Sequence, residues 1–282
     1  MSDRSAQEWR LIRDDPRDGA TQMALEEVAA ATAIEDDVRT VRVYSWEPGT
    51  LSLGYRQDAE TVDWEYCDRE GIGVTRRQTG GGGIYHDRYA DISYTIVAPA
   101  DEVPGNLMAC YELFCEPVLE GLRRMGVDAD FASVEQDAIY QPSCYLRDIN
   151  PAHDVVVPAE SDDERKISGN AQYRQRDVVI QHGSISYDRE PARHVGTFAA
   201  DLETPPFVDR VASIREETGI DRDEAVSTLA DALGEWCDAR ESTWREDELE
   251  AAADLAERKY GHESWILNGE ELEEAQPDVP GR

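Results

Sequence analysis

Apolar and polar positions alternate in short runs through much of the first two hundred residues, and beyond about Val208 they recur at steps of three and four. Glu8 to Arg13 reads as a first strand, and Thr21 to Ile34 as an alanine-rich helix with Met23, Leu25 and Val28 turned inward. Thr40 to Trp46 alternates as a strand, Pro48-Gly49 marks a turn, and Leu51 to Tyr55 resumes the strand. A short helix is expected over Thr61 to Glu70. Val74 to Arg77 runs as a strand into four glycines, and Ile84 to His86 and Asp91 to Val97 continue the sheet, with Ile92, Tyr94 and Ile96 on one face. Leu107, Tyr111, Phe114, Val118, Leu122 and Met125 share one helix face, which predicts a helix laid on that sheet. Asp154 to Val157, Ile167 to Arg174 and Val178 to Ser186 read as strands, with a polar, acidic surface loop over Pro158 to Arg165. Helices are expected over Val211 to Thr218, Arg222 to Arg240 and Glu246 to Tyr260.

Helices interrupt the strands without a regular strand–helix–strand rhythm, and no repeat is visible. The pattern predicts an α+β fold, a mixed sheet flanked by helices. The expected layout is a core over 1–207, a helical C-terminal section of the same domain over 208–268, and an acidic flexible tail over 269–282.

Charge changes this picture most. The chain has 28 Lys plus Arg against 61 Asp plus Glu, a net charge of −33. Such a surface repels phosphate backbones and anionic lipid, which argues against nucleic-acid and membrane-surface roles. Six Trp, twelve Tyr and the apolar periodicity argue against disorder. We read the acid excess as a solvation device for a cytoplasm rich in salt, where a Debye length of about 3 Å at 1 M removes self-repulsion. Stability against urea should therefore rise with KCl to molar levels; a falling curve would contradict a halophilic reading. No run approaches the roughly 20 apolar residues of a membrane span, and Met1 to Arg13 lacks a signal-peptide core. A reduced, cytoplasmic protein is expected, since the five cysteines (Cys67, Cys110, Cys115, Cys144 and Cys237) fit no zinc spacing.

Only two lysines remain, Lys166 and Lys259, among many arginines. Arginine is a planar fork and lysine a compact charge on a flexible stem, so a retained lysine is a candidate for its own chemistry as well as a surface leftover.

Three segments carry candidate chemistry. Arg76-Arg77-Gln78-Thr79 runs into Gly80, Gly81, Gly82 and Gly83, then Ile84-Tyr85-His86-Asp87. Glycines permit positive φ and open their N–H groups to an anion, and the arginines add fixed charge. A plain glycine-rich hairpin is the alternative. The loop matches neither a Walker motif nor a dinucleotide fingerprint, because no Gly-Lys-Ser/Thr and no helix follows. In Lys166-Ile167-Ser168-Gly169-Asn170-Ala171-Gln172, Gly169 inside a strand marks a close approach, and Lys166 could neutralise a phosphate or a developing oxyanion. In Gln181-His182-Gly183-Ser184, His182 could orient a group or be structural.

In this order the segments resemble the lipoate–protein ligase and octanoyltransferase family. They match its Arg-Arg-x-Ser/Thr-Gly-Gly-Gly loop ending in His-Asp, its Lys-Val/Ile-Ser/Ala-Gly-x-Ala-Gln strand and its His-Gly-Ser/Thr step. Thr21 to Glu27 resembles the family's first helix, and Lys259-Tyr260 through Trp265 its C-terminal Lys-Tyr…Trp. The resemblance implies the fold of biotin and lipoate protein ligases, related to class II synthetases. It implies a ligase that joins lipoate or octanoate to ATP as acyl-AMP and passes the acyl group to a carrier lysine, with Mg²⁺ accompanying ATP and no ligand nameable. Lys166 would then contact the acyl carbonyl and phosphate. Arg76, Arg77 and Gly80 to Gly83 would shape the pocket, with Ser168 and Gly169 beside it, His86 and Asp87 closing its far side, and His182 nearby. The implied partners are lipoyl domains of 2-oxoacid dehydrogenases or the glycine cleavage H protein, with a small accessory subunit supplying what a C-terminal domain supplies in longer ligases.

Pro142-Ser143-Cys144-Tyr145 opens an alternative. It resembles the Cys-Phe of one octanoyltransferase branch, where the cysteine is the acyl-thioester nucleophile and no ATP is used; the spacing differs slightly and Tyr145 replaces Phe. A thiol beside a lysine ionises more readily and is a better nucleophile. Otherwise Cys144 is a small buried hydrophobe. A carrier- or biotin-binding module without catalysis would fit a chain that had lost Lys166, which this one retains.

Overall fold

A computed structural model of the protein describes residues 7–149, 153–158 and 164–271. The main sheet takes strands β1 (Glu8–Arg13), β2 (Val38–Tyr44), β6 (Asp91–Pro99), β7 (Asp130–Phe131), β8 (Val155–Pro158), β9 (Glu164–Arg174), β10 (Val178–Ser186) and β11 (Arg240–Ser242). Their order is β11-β1-β2-β6-β10-β9-β8-β7. The β11–β1 and β1–β2 pairs are parallel and the others antiparallel, so the sheet is mixed. Strands β3 (Thr50–Leu53), β4 (Gly73–Arg76) and β5 (Ile84–His86) form a separate sheet in the order β4-β3-β5. The expectation that β5 continues into the β6 sheet is thus corrected. Apolar alternation marks these residues as strands but does not choose their partners.

Helix α1 (Gly19–Glu35) covers one face of the main sheet, its N-terminus capped by Asp18, which accepts from the Thr21 N–H. Met23, Leu25 and Val28 are buried as expected. Of the smaller helices, α2 (Trp64–Glu70) precedes β4, and α4 (Pro191–Gly196), α5 (Thr204–Arg210) and α6 (Ile214–Thr218) follow β10. Helix α3 (Leu107–Arg124) lies on the other face beside α7 (Arg222–Cys237), where Phe114, Val118, Leu122, Leu229 and Leu233 meet Trp9, Leu11, Val41, Ile92, Tyr94 and Ile96. Leu107, expected on the inner face of α3, is exposed at the helix start.

The alternation that sends Ile92, Tyr94 and Ile96 to the α3 side sends Ser93 and Thr95 toward α1. Their partners across the ladder are Ser184 and His182. A stripe of polar groups therefore runs under α1 inside an otherwise apolar core, and it forms the floor of the site described below.

The C-terminal section is not purely helical. Its β11 extends the main sheet beside β1, and after α8 (Glu246–Leu255) a π-helical turn, Ala256–Tyr260, leads to α9 (Glu263–Asn268). This stretch straps across the smaller sheet. Buried Arg76 gives its guanidinium to the backbone carbonyls of Gly54, Tyr55, Gln57, Trp265, Ile266 and Leu267. In return, Trp265 donates its indole N–H to the Arg76 carbonyl at 2.7 Å. Lys259, also buried, donates to Glu27 Oε1 at 2.7 Å, with its ammonium over the Trp265 ring. Arg76→Met would strand several buried carbonyls. It should cost about 3 kcal/mol or more, read as a lowered urea midpoint at unchanged slope. Residues 272–282 of the expected acidic tail and 159–163 of the expected surface loop lie outside the described residues. No helix among the described residues is long and apolar enough to cross a membrane.

Candidate active site

A cavity of about 290 Å³ opens between α1, the polar stripe and the smaller sheet. Apolar Met23, Trp46 and Ile84 line part of it, and Arg77, Gly80, Gly81, His86, Cys144, Lys166, Gly169 and His182 the rest. The loop, strand and step singled out in the sequence therefore converge on one space.

Lys166 is 1 % exposed. Its Nζ lies 2.6 Å from Asp154 Oδ1, donates to the Cys144 carbonyl at 3.1 Å and reaches Cys144 Sγ at 3.7 Å. Burial by itself would push this ammonium's pKa down; Asp154, with Cys144 behind it, outweighs burial and holds it above the ordinary lysine value. Burial likewise opposes ionisation of Asp154, but Lys166 and His153 hold that carboxyl far below the carboxylate range. The pair is thus a fixed cation and anion through the neutral range.

Gly169 makes room for the thiol: a Cβ there would sit 2.9 Å from Cys144 Sγ. Gly169→Ala should displace the sulfur and lower turnover by about 10²-fold, measured as kcat with the thermal midpoint followed in parallel.

The tetraglycine has two roles. Gly80 and Gly81 face the cavity, with Gly81 at φ +94°. Gly82 and Gly83 instead pack on the segment that carries the thiol. A Cβ on Gly82 would meet the Pro142 carbonyl at 2.7 Å. Gly83 donates to the Pro142 carbonyl at 2.7 Å and accepts from the Cys144 N–H at 2.8 Å. These two glycines position Cys144 from outside the cavity. The other side of that segment is held by Ser143 Oγ, 2.9 Å from His194 Nε2. Burial pushes His194 down to about 3, so it stays neutral.

Arg77 lines the cavity with its hydrogen-bonding capacity spent. Nε donates to Thr79 Oγ1, Nη1 to the Ser52 carbonyl and hydroxyl, and Nη2 to the Gly80 and Gly82 carbonyls. Burial pushes it down to about 10, which leaves it charged. His182 joins Thr79 Oγ1 at 2.7 Å through Nε2 and Glu26 at 2.9 Å through Nδ1. Burial opposes ionisation of Glu26, yet His182 and then Arg42 hold its carboxyl below the usual range.

Other expected site residues lie elsewhere. Arg76 is occupied by the C-terminal strap. Asp87 closes a turn, accepting from the Tyr89 and Ala90 N–H groups and the Tyr85 hydroxyl. Ser168 is buried beside the cavity without lining it. Sequence reasoning passed over Asp154 and Glu26. Each left a signal: Asp154 is a lone charge opening a Val-Val-Val strand, and Glu26 sits three residues from Met23 on the inward face of α1.

A family model, the lipoyl protein ligase A/B catalytic domain, matches residues 18–234. The chain belongs to this family. Its members are enzymes of lipoyl-protein modification. Among relatives, an octanoyltransferase LipM of Kyrpidia tusciae is 31% identical and covers 92% of this chain and 98% of its own. LipM of Bacillus subtilis is 29% identical, over 91% and 97%. Among solved structures, a bi-partite lipoate protein ligase from Thermoplasma acidophilum superposes with a TM-score of 0.78 at 23% identity, covering 95% of this chain and 99% of that one. A lipoate-protein ligase A bound with ATP gives 0.75 at 24%, covering 92% and 98%. These two likenesses establish the lipoate-ligase fold.

The Arg77 guanidinium is committed to its own loop, and no group of three or more His, Cys, Asp or Glu among the described residues is placed to hold a metal ion.

Proposed function

We propose that this family member is an ATP-independent octanoyltransferase in which Cys144 carries the acyl group as a thioester. The observation that carries this reading is the Cys144 sulfur, 3.7 Å from the Lys166 ammonium in the space that Gly169 leaves open. The full-length similarity to octanoyltransferases LipM supports it.

In the first half-reaction the Cys144 thiolate, paired with Lys166, attacks the carbonyl of an octanoyl thioester on a carrier. The tetrahedral oxyanion draws on the same fixed cation, the C–S bond to the donor breaks, and the donor leaves as its thiolate, which takes a proton from solvent. In the second, the ε-amine of a lysine on a lipoyl domain attacks octanoyl-Cys144, giving the amide and returning the sulfur to Lys166. Met23, Trp46 and Ile84 would house the acyl chain. The acceptors proposed are lipoyl domains of 2-oxoacid dehydrogenases or the glycine cleavage H protein. A thioester route does not call for an accessory subunit to drive adenylation.

The paired test supplies a lipoyl domain either with octanoyl carrier protein and no ATP, or with lipoate, ATP and Mg²⁺. The expected result is a mass gain on the domain in the first mixture. A gain confined to the second would replace this reading with the ligase.

A further inference from the structure

The charge lining the cavity runs against the charge of the chain. The whole sequence carries 28 Lys plus Arg against 61 Asp plus Glu. Among the described residues that line the cavity, Arg77, Arg147 and Lys166 are cations and Asp154 is the one carboxylate. Two of the cations are committed, Arg77 to its own loop and Lys166 to Asp154 at 2.6 Å. Arg147 makes one side-chain hydrogen bond, from Nε to Asp148 Oδ1 at 3.3 Å, and its Nη1 and Nη2 donate to nothing among the described residues.

Arg147 stands at the rim, on the wall that carries the thiol. Its N–H donates to the Ser143 carbonyl at 2.8 Å, and its own carbonyl accepts from Arg210 Nη2 at 3.4 Å, so its main chain is fixed by the same turn as Cys144. Its Nη1 lies 3.6 Å from where a Cβ on Gly81 would stand, and Gly81 is exposed. The Arg147 side chain is 32 % exposed, whereas Cys144 is 8 % exposed. Repulsion from this charge reaches both Arg77 and Lys166, behind burial in each case.

A folded acceptor cannot bring its main chain down to a thiol at that depth. Its lysine side chain descends on a four-carbon stem, and the residues on either side of that lysine stay at the rim. Consecutive Cα atoms are about 3.8 Å apart, so a side chain next to the lysine arrives beside the groups that ring the opening. An anion there meets a guanidinium edge with two free nitrogens, the geometry that holds a carboxylate through two parallel hydrogen bonds. A phosphate on the donor's thioester arm is the other source of negative charge. Pantetheine separates that phosphate from its thiol by far more than a lysine stem, which carries it past the rim. We infer that Arg147 binds a carboxylate next to the target lysine of the acceptor, and so selects acidic acceptor segments and positions the amine over octanoyl-Cys144.

The inference rests on the thioester reading and adds no covalent step to it. General attraction between charges is screened within about 3 Å at 1 M salt, while a hydrogen-bonded pair in contact persists. The preference should therefore survive in molar KCl.

The test uses the full chain in 1 M KCl, charged with octanoyl-N-acetylcysteamine, which carries no phosphate. Charging is read by intact mass, and discharge by rapid quench against acceptor concentration. Two lipoyl domains are compared, one with aspartate and one with asparagine beside the target lysine. Arg147→Gln spares the main-chain contacts. It should charge within a few-fold of wild type and need about 10-fold more of the aspartate acceptor to half-saturate discharge, with the saturated rate changed less. The asparagine acceptor should show the same loss with wild type and little further loss with Arg147→Gln, because both substitutions remove one contact. Arg147→Glu should discharge poorly onto the aspartate acceptor and recover on one with arginine at that position, which answers for any disturbance of the rim. Losses that simply multiply, an unchanged acceptor requirement, or equal slowing of charging and discharge overturn the inference. A defect confined to charging from octanoyl-4′-phosphopantetheine assigns the anion to the donor and overturns it too. A wild-type chain that never charges overturns the thioester reading, and this inference with it.

Discussion

Cys144→Ala should abolish ATP-free octanoyl transfer while leaving the chain folded. Removing a covalent nucleophile typically lowers turnover by on the order of 10⁴-fold or more, because no neighbouring group replaces the bond it forms. The stability effect should be small. Deleting one sulfur from a well-packed wall costs about 1 kcal/mol, and Gly82, Gly83 and the Ser143–His194 contact hold this segment through atoms the substitution spares. Transfer rate by mass spectrometry and a urea midpoint, on the same preparation, check both parts. Substantial residual transfer would mean that the amine attacks the donor thioester directly.

Lys166→Met should combine loss of activity with loss of stability. It removes the cation beside the sulfur and leaves Asp154, 2 % exposed, without its ammonium. Breaking one side of a buried pair costs roughly 3–5 kcal/mol. Adding Asp154→Leu should recover much of that stability and none of the activity, which separates folding from chemistry. The pH dependence has a definite sign. Asp154 is depressed, so its contribution is present above the unfolded carboxyl pKa of about 3.9 and is lost as pH falls through the folded value. Lys166 is raised, so its contribution is present below about 10.4 and is lost as pH rises through its folded value. Wild type and the double variant should therefore show parallel stability profiles from about pH 5 to 9 and part only in strong acid or base, where the wild type alone loses the pair's contribution.

Much of this site was readable in the sequence because its pieces are local: a glycine run, a lysine opening a strand, and a histidine beside a glycine. Strand positions followed from alternation. What could not be read depends on contacts far apart in the chain. The separation of β3, β4 and β5 from the main sheet is a choice of hydrogen-bonding partners that each strand's own alternation leaves open. Arg76 and Arg77 are adjacent and look equivalent, yet strand geometry sends one to the C-terminal strap and the other to the cavity. Gly82 and Gly83 read as ligand-facing because flexibility signals close approach without naming what approaches, here the Cys144 backbone. Asp154 was hidden because its meaning lies in a lysine twelve residues away on the neighbouring strand. The two lysines are both buried and ion-paired.

The most direct test is the mass of the protein itself after incubation with an octanoyl thioester, without ATP. The account predicts one octanoyl group on the peptide containing Cys144, released by hydroxylamine and lost when a lipoyl domain is added. An unmodified chain, with the lipoyl domain acylated only once free acid and ATP are supplied, would contradict it.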